Sequence, residues 1–279
     1  MKNKVAFITM DVESFYDSFC MQKKKIEPEK EFDCASNISS FLSYLNEENI
    51  KATLFLNLGF LPECLNEVLE AIDNKHEIAL HSLIHADLSA TKGEHFLHML
   101  EESKKMIRNF LHVRVDGFRF PGFKYEKEQI EILVESNFKY DSSYINRRNL
   151  KGYRKVKDYV YEKDGFYEFA LSTQRVFLRN INMSGGGFLR LYPWKFIEKR
   201  LKKLFHNSDS YVLYVHPFEL FTGDFPKYKK LNVFERLYIN RNRKEWFSRI
   251  KRIIEMLKEE GYTFMSMSDF IKEEGLKNG

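Results

Sequence analysis

The sequence predicts an α/β fold built on parallel strands, and three observations carry that prediction. Short, almost wholly apolar runs recur along the chain at the length of buried strands. Between them lie longer segments whose apolar residues repeat at helical spacing. The joins are only a few residues long, as right-handed crossovers between neighbouring parallel strands require. Periodicity fits a closed barrel and an open sheet equally well.

Val5 to Met10 reads as the first buried strand, and Ala35 to Glu48 as a helix carrying Ile38, Phe41, Leu42 and Leu45 on one face. Ala52 to Leu56 is a second strand. Pro62 opens the next helix, through Leu65, Val68, Leu69 and Ile72, at a position where its missing N–H costs nothing. Glu77 to Leu80 is a third strand, Glu94 to Phe110 a helix, Gly117 to Phe120 a short strand and Glu126 to Glu135 a helix. From Asn146 to Arg190 the pattern changes. Tyr159–Glu162 and Phe166–Phe169 flank Lys163-Asp164-Gly165, which reads as a hairpin inserted into the fold. Strands resume at Tyr211 to Val215, and a long amphipathic helix from Arg243 to Glu260 leads to a last strand at Thr263 to Met265. With no linker, repeat or low-complexity tract, residues 1–279 are expected to form one domain with an insertion at 146–190.

Hydrophobic residues make up 43% of the 279 positions and aromatics 15%, which excludes a disordered chain. Forty-five basic and 40 acidic residues give a mixed surface of net charge +5. The densest basic runs, around Lys199–Lys203 and Arg236–Lys244, read as solvated helix faces, so no nucleic-acid partner is expected. Three cysteines without CxxC spacing argue against a disulfide framework or a thiolate zinc site. The apolar run before Asp11 is too short for a signal peptide, and no stretch approaches the roughly 20 apolar residues of a membrane span. A cytoplasmic protein is expected. The helical segment after Tyr192-Pro193-Trp194 could lie on a membrane surface, but core packing is the favoured reading.

Polar residues gather where the predicted strands end. His81 and His85, at i and i+4 after the third strand, would project from one face of a helical turn toward a common metal. Asp11 and Glu13, two residues apart in extended chain, could face one cavity. A phosphatase signature of Asp-x-Asp type would require Asp where Glu13 stands. Arg119, in Arg119-Phe120-Pro121-Gly122, can hold a carboxylate ionised and oriented. Tyr140-Asp141-Ser142-Ser143 marks a fourth strand end and His216-Pro217-Phe218-Glu219-Leu220 a fifth, where His216 is a candidate general acid. Gly185-Gly186-Gly187 is no phosphate loop, since no Lys-Ser/Thr follows it. Its glycines allow close backbone approach either to a sugar or to a neighbouring strand.

In order and wording these clusters resemble the motifs of the polysaccharide deacetylases, carbohydrate esterase family 4. The likeness is greatest to a branch associated with exopolysaccharide gene clusters and runs from Val5 to Ile271. The carrying residues are Asp11-Val12-Glu13, Lys75 to His85, Arg119 to Gly122, Tyr140 to Ser143, Ser184 to Leu191 and His216 to Leu220. The resemblance implies a distorted (β/α) barrel and a hydrolase acting on an N-acylated amino sugar of a polysaccharide or its precursor. It implies one divalent metal ion, expected to be zinc, on His81 and His85. Asp11 would be the general base, Arg119 its orienting partner, and His216 the general acid with Asp141 as charge partner. Pro121, Gly186, Gly187 and Phe218 would contact substrate. The chain departs from the family at Val12, where the widespread motif has a ligating Asp. Glu13 is therefore the candidate third ligand, and the alternative has Asp11 ligating and the base missing. Two other readings compete: a deformylase or cyclic-amide hydrolase on the same fold, and a carbohydrate-binding relative without turnover.

Overall fold

The computed structural model describes residues 3–26, 34–145, 150–176, 179–223, 225 and 228–278. Five strands alternate with helices along the first half: β1 (Lys4–Val12), β2 (Thr53–Asn57), β3 (Glu77–Ser82), β4 (Gly117–Phe118) and β5 (Tyr140–Asp141). Then come β6 (Arg154–Lys157), β7 (Val160–Lys163), β8 (Phe166–Phe169), β9 (Thr173–Val176), β10 (Arg179–Asn182), β11 (Ser210–Val215) and β12 (Tyr262–Phe264). The main sheet runs β11-β1-β2-β3-β4-β5-β8-β7-β6, parallel from β11 through β8 and antiparallel across β7 and β6. β12 lies end to end with β2 along one edge of β1. The expected distorted barrel is thus a curled mixed sheet, a half-barrel. No regular ladder joins β8 to β11, and two serines span the gap. The Val212 N–H donates to Ser172 Oγ and the Tyr214 N–H to the Ser184 carbonyl.

Strand parity divides the core in two. On β1, Val5 and Phe7 face the inside of the curl with Phe55, Ala79, Tyr140, Phe169 and Val212. Ala6, Ile8, Met10 and Val12 face outward into the helical layer, packed with Phe41, Leu54, Ile253 and others. Burial on both faces is why these strands read as continuous apolar runs rather than alternating ones. The base of the curl is closed by the helix Met267–Asn278, which sets Met267 and Phe270 into the interior cluster. That helix was not anticipated from the sequence, nor was the short helix Val233–Asn240.

The predicted hairpin forms as β7 and β8, with Asp164 and Gly165 both at positive φ (52° and 82°), the backbone that a two-residue Asp-Gly turn requires. It is more than an insertion, since β8 pairs parallel with β5 and extends the main sheet. A second hairpin, β9–β10, stands apart as its own two-stranded sheet. Asn146, where the insertion was expected to begin, lies outside the described residues.

Candidate active site

The same parity that fills the interior lifts polar side chains to its upper rim. Continuing Val5, Phe7 and Thr9, Asp11 and Glu13 fall on the inner side, while Val12 is turned into the helical layer. His81 follows Ala79 on β3, and His216 follows Val212 and Tyr214 on β11. Arg119, just past β4, continues the parity of Gly117, where a Cβ would come within 1.9 Å of the Tyr140 ring.

Glu13, His81 and His85 form one cluster, each offering a ligand atom within 4.8 Å of the others. Glu13 Oε2 stands 3.2 Å from His81 Nε2 and 2.8 Å from His85 Nε2. The histidines do not share a helical turn, as their i,i+4 spacing suggested. His81 is the fifth residue of β3 and His85 belongs to the irregular loop beyond it, their ring centroids 5.4 Å apart. His81 Nδ1–H donates to the Arg119 carbonyl at 2.7 Å, which fixes the ring with Nε2 toward the cluster. Gln22 holds His85 from the other side, donating to its carbonyl at 2.7 Å. One carboxylate and two imidazoles, buried and open on one side, are a donor set suited to zinc or a similar divalent cation.

Beside this cluster lies a fully buried ion pair. Arg119 Nη1 donates to Asp11 Oδ1 at 2.6 Å and to Thr9 Oγ1 at 2.8 Å. Its Nε and Nη2 donate to the Ser142 carbonyl and hydroxyl, and the guanidinium lies 4.0 Å over the Phe55 ring. With every nitrogen of the guanidinium engaged, Asp11 keeps one fixed partner and leaves Oδ2 toward the cleft. A buried charge held this fully satisfies what burial demands of it.

His216 directly follows β11, and its Nε2 lies 3.8 Å from Asp11 Oδ2 and 3.6 Å from Glu13 Oε1. Its carboxylate partner is not the expected Asp141. His216 Nδ1–H donates to Glu219 Oε2 at 3.0 Å, and the other oxygen of Glu219 accepts from Arg190 Nε at 2.9 Å. Asp141 is out of phase. Tyr140 and Ser142 point into the curl, so Asp141 points outward, where it accepts from the Ser143 hydroxyl at 2.8 Å and sits against Glu168. Glu219 lies within the motif His216 to Leu220 but is not among the candidate site residues named above. The signal was present, because Glu three residues after a strand-ending residue is capping-box spacing, and Glu219 Oε2 also accepts from the His216 backbone N–H. Arg190 had no such local signal, since its partner is 29 residues away.

The electrostatics follow from these contacts. Burial alone would raise the Glu13 carboxyl, but the charges of His85 and His216 and hydrogen bonds from His81 and His85 hold it well below its ordinary value. Burial opposes protonation of His216, yet Glu13, Glu219 and Asp11 outweigh it and push the imidazole up to about 9. Glu219 is held low against burial by Arg190 and His216. On the outer face the balance is reversed: burial, unrelieved by a cation in contact, raises Asp141 to about 6 and Glu168 well above its ordinary value.

These groups open into a cleft of about 320 Å³. Pro121, Gly186, Gly187 and Phe218, the expected substrate contacts, all line it, with Phe123, Phe188 and Tyr238. The glycine run also packs against its neighbours. A Cβ on Gly185 would lie 2.0 Å from the Tyr214 carbonyl oxygen, and one on Gly187 would lie 2.5 Å from the Tyr238 ring.

Comparison with known proteins agrees with this fold. Residues 21–140 match the polysaccharide deacetylase family profile, and residues 142–272 match a domain of unknown function, DUF3473. Residues 21–140 are thus similar to the polysaccharide deacetylases, and the chain as a whole has the fold of carbohydrate esterase family 4. His81, His85 and Arg119 fall in the first match, His216, Glu219 and Arg190 in the second, and Asp11 and Glu13 precede both. Among solved structures, a Mycobacterium smegmatis protein assigned as a polysaccharide deacetylase superposes with a TM-score of 0.65 at 16% identity, over 99% of this chain and 92% of that one. The peptidoglycan N-acetylglucosamine deacetylase Bc1960 gives 0.57 at 15% identity, over 96% and 89%. A family 4 pseudoenzyme from Bacillus anthracis gives 0.57 at 13% identity, over 96% and 66%. No curated protein matches the chain in sequence.

Proposed function

We propose that the chain is a metal-dependent hydrolase that removes an N-acyl group, acetyl in the first instance, from an amino sugar. One observation carries this reading: a carboxylate–imidazole ligand set, an arginine-held aspartate and a carboxylate-held histidine converge on one cleft. Glu13, His81 and His85 would hold the cation, with zinc the proposed metal. When bound, the cation supplies Lewis acidity, polarising a carbonyl oxygen and lowering the pKa of water beside it.

The chain's own residues supply the rest. Arg119 keeps the Asp11 carboxylate aimed at the cleft, where Oδ2 can take a proton from the attacking water. Glu219 fixes the His216 ring through Nδ1–H, so that Nε2–H faces the same point and can protonate the departing amine. Raised to about 9, His216 holds that proton at neutral pH. Phe123, Phe188 and Tyr238 wall the cleft with aromatic surface, a common platform for the apolar faces of sugars.

The likeness to the exopolysaccharide-associated branch supports a polymer, or its lipid- or nucleotide-linked precursor, as substrate. The buried thiols of Cys34 and Cys64 suit a reducing compartment, and the cytoplasm is the proposed site of action. The non-catalytic alternative has its precedent in the pseudoenzyme of this fold. Mass spectrometry of acetylated oligosaccharides incubated with zinc-loaded protein tests the proposal. Loss of an acetyl mass with release of acetate is expected. Formate release would mark a deformylase, and binding without any mass change a lectin-like relative.

A further inference from the structure

The helix Val233–Asn240 turns its apolar residues the wrong way for a core. Ile239 is buried, but Val233, Phe234 and Leu237 are 68%, 82% and 50% exposed and fall on one side of the helix. Tyr238 continues that side to the cleft, where it packs against Gly187 and stands with Phe188, itself 44% exposed. An apolar strip thus runs from the cleft rim out along the helix.

The charge around it is predominantly positive. Between Tyr228 and Lys244, Lys229, Lys230, Arg236, Arg241 and Lys244 are all exposed, at both ends of the helix and along one flank. Glu235 is the single acid in that stretch, and it is engaged by Lys24 at 3.5 Å and by the Asn232 backbone N–H. Among the described residues no helix is long and apolar enough to cross a membrane, so any membrane contact through this helix is peripheral.

We infer that this strip is a docking surface for an anionic lipid bilayer, which seats the cleft mouth at the membrane face. Aromatic and aliphatic side chains raised on a short helix, ringed by lysine and arginine, are the chemistry of interfacial binding. The apolar residues enter the headgroup boundary while the cations meet acidic headgroups. A partner protein offering only an apolar groove would leave five cations unused. Joined to the proposed deacetylase reading, on which this step alone rests, the placement favours an amino sugar carried on a membrane lipid.

The test is co-sedimentation of the full chain with vesicles of equimolar phosphatidylglycerol and phosphatidylcholine, against pure phosphatidylcholine. Binding to the anionic vesicles is expected, weakening as salt is raised and absent from the neutral ones. The double variant Phe234→Ser/Leu237→Ser should weaken binding at least about tenfold. Lys229→Glu/Lys230→Glu should do the same, at about fivefold or more per residue. Neither pair lines the cleft, so both variants should keep their melting temperature and their turnover of a soluble acetylated oligosaccharide. Failure to bind anionic vesicles overturns the inference, as does equal binding to neutral ones. Overturning it in favour of a second copy would be a dimer in sedimentation that Phe234→Ser/Leu237→Ser dissolves, without vesicle binding. Since vesicle binding is read without turnover, its failure is separable from failure of the deacetylase reading.

Discussion

Asp11 and Asp141 are both buried aspartates where parallel strands of one mixed sheet end, and they live in opposite chemistry. Asp11 faces the inside of the curl, against Arg119 and within reach of His216. Asp141 faces outward against Glu168 and the Ser143 hydroxyl, and carries a raised pKa instead of a cationic partner in contact. Nothing in residue type separates them. A strand turns alternate side chains to alternate faces, so a shift of one position moves a carboxylate from the cleft to the back of the sheet. At the cleft end of the inner face charges are paired and kept; on the outer face two acids share a dry site, which favours keeping a proton.

Replacing both His81 and His85 with Ala should abolish one-to-one zinc binding in a calorimetric titration, whereas Asp141→Asn should leave it intact. Stoichiometric zinc surviving in the double variant would place the metal elsewhere. Next, His216→Ala should slow amide cleavage by about two to four orders of magnitude, the usual contribution of a positioned acid. An activated ester, whose leaving group needs no proton, should lose far less. Equal losses on both substrates would remove His216 from the role of acid.

A smaller effect discriminates Glu219 from Asp141 as the partner of His216. A histidine raised to about 9 by neighbouring carboxylates loses its proton, and with it activity, as pH climbs through that value. Glu219→Gln removes one of those carboxylates, so the basic limb of the pH–rate profile should move to lower pH. Asp141→Asn should leave the limb in place, and a shift from Asp141→Asn with none from Glu219→Gln would reverse the assignment.

The smallest effect belongs to the outer pair. A carboxyl whose folded pKa is raised contributes stability that is present below its unfolded value and lost as pH rises through the folded one. For Asp141 that window runs from about 4 to about 6, and the raised Glu168 extends the loss upward. Urea unfolding should show stability falling across this window, and Glu168→Gln should flatten the fall. An unchanged slope in Glu168→Gln would mean that the two acids do not share a proton.

Much of this was legible in the sequence because strands and ligands announce themselves locally. The buried runs around Val5, Leu54, Ile78 and Val212 forecast the parallel core. The polar residues immediately beyond them, Asp11, Glu13, His81, His85, Arg119 and His216, forecast the cleft, because a strand's own period carries its inward side chains to the rim. Glu219 was within reach of the same reasoning through its three-residue spacing from His216. The rest depends on neighbours distant in the chain. Arg190 finds Glu219 only after a helix and a strand have folded between them. The His81–His85 pair is held across a loop by Glu13 from another strand, not by a helical turn. Asp141 could be assigned to a strand end from sequence, but its face depends on a register that only the pairing of β5 with β4 and β8 decides. Sequence determined which residues lie where strands end, through local periodicity and burial. Tertiary structure alone decided which of them meet, because long-range register and the curl of the sheet set the facing of every side chain.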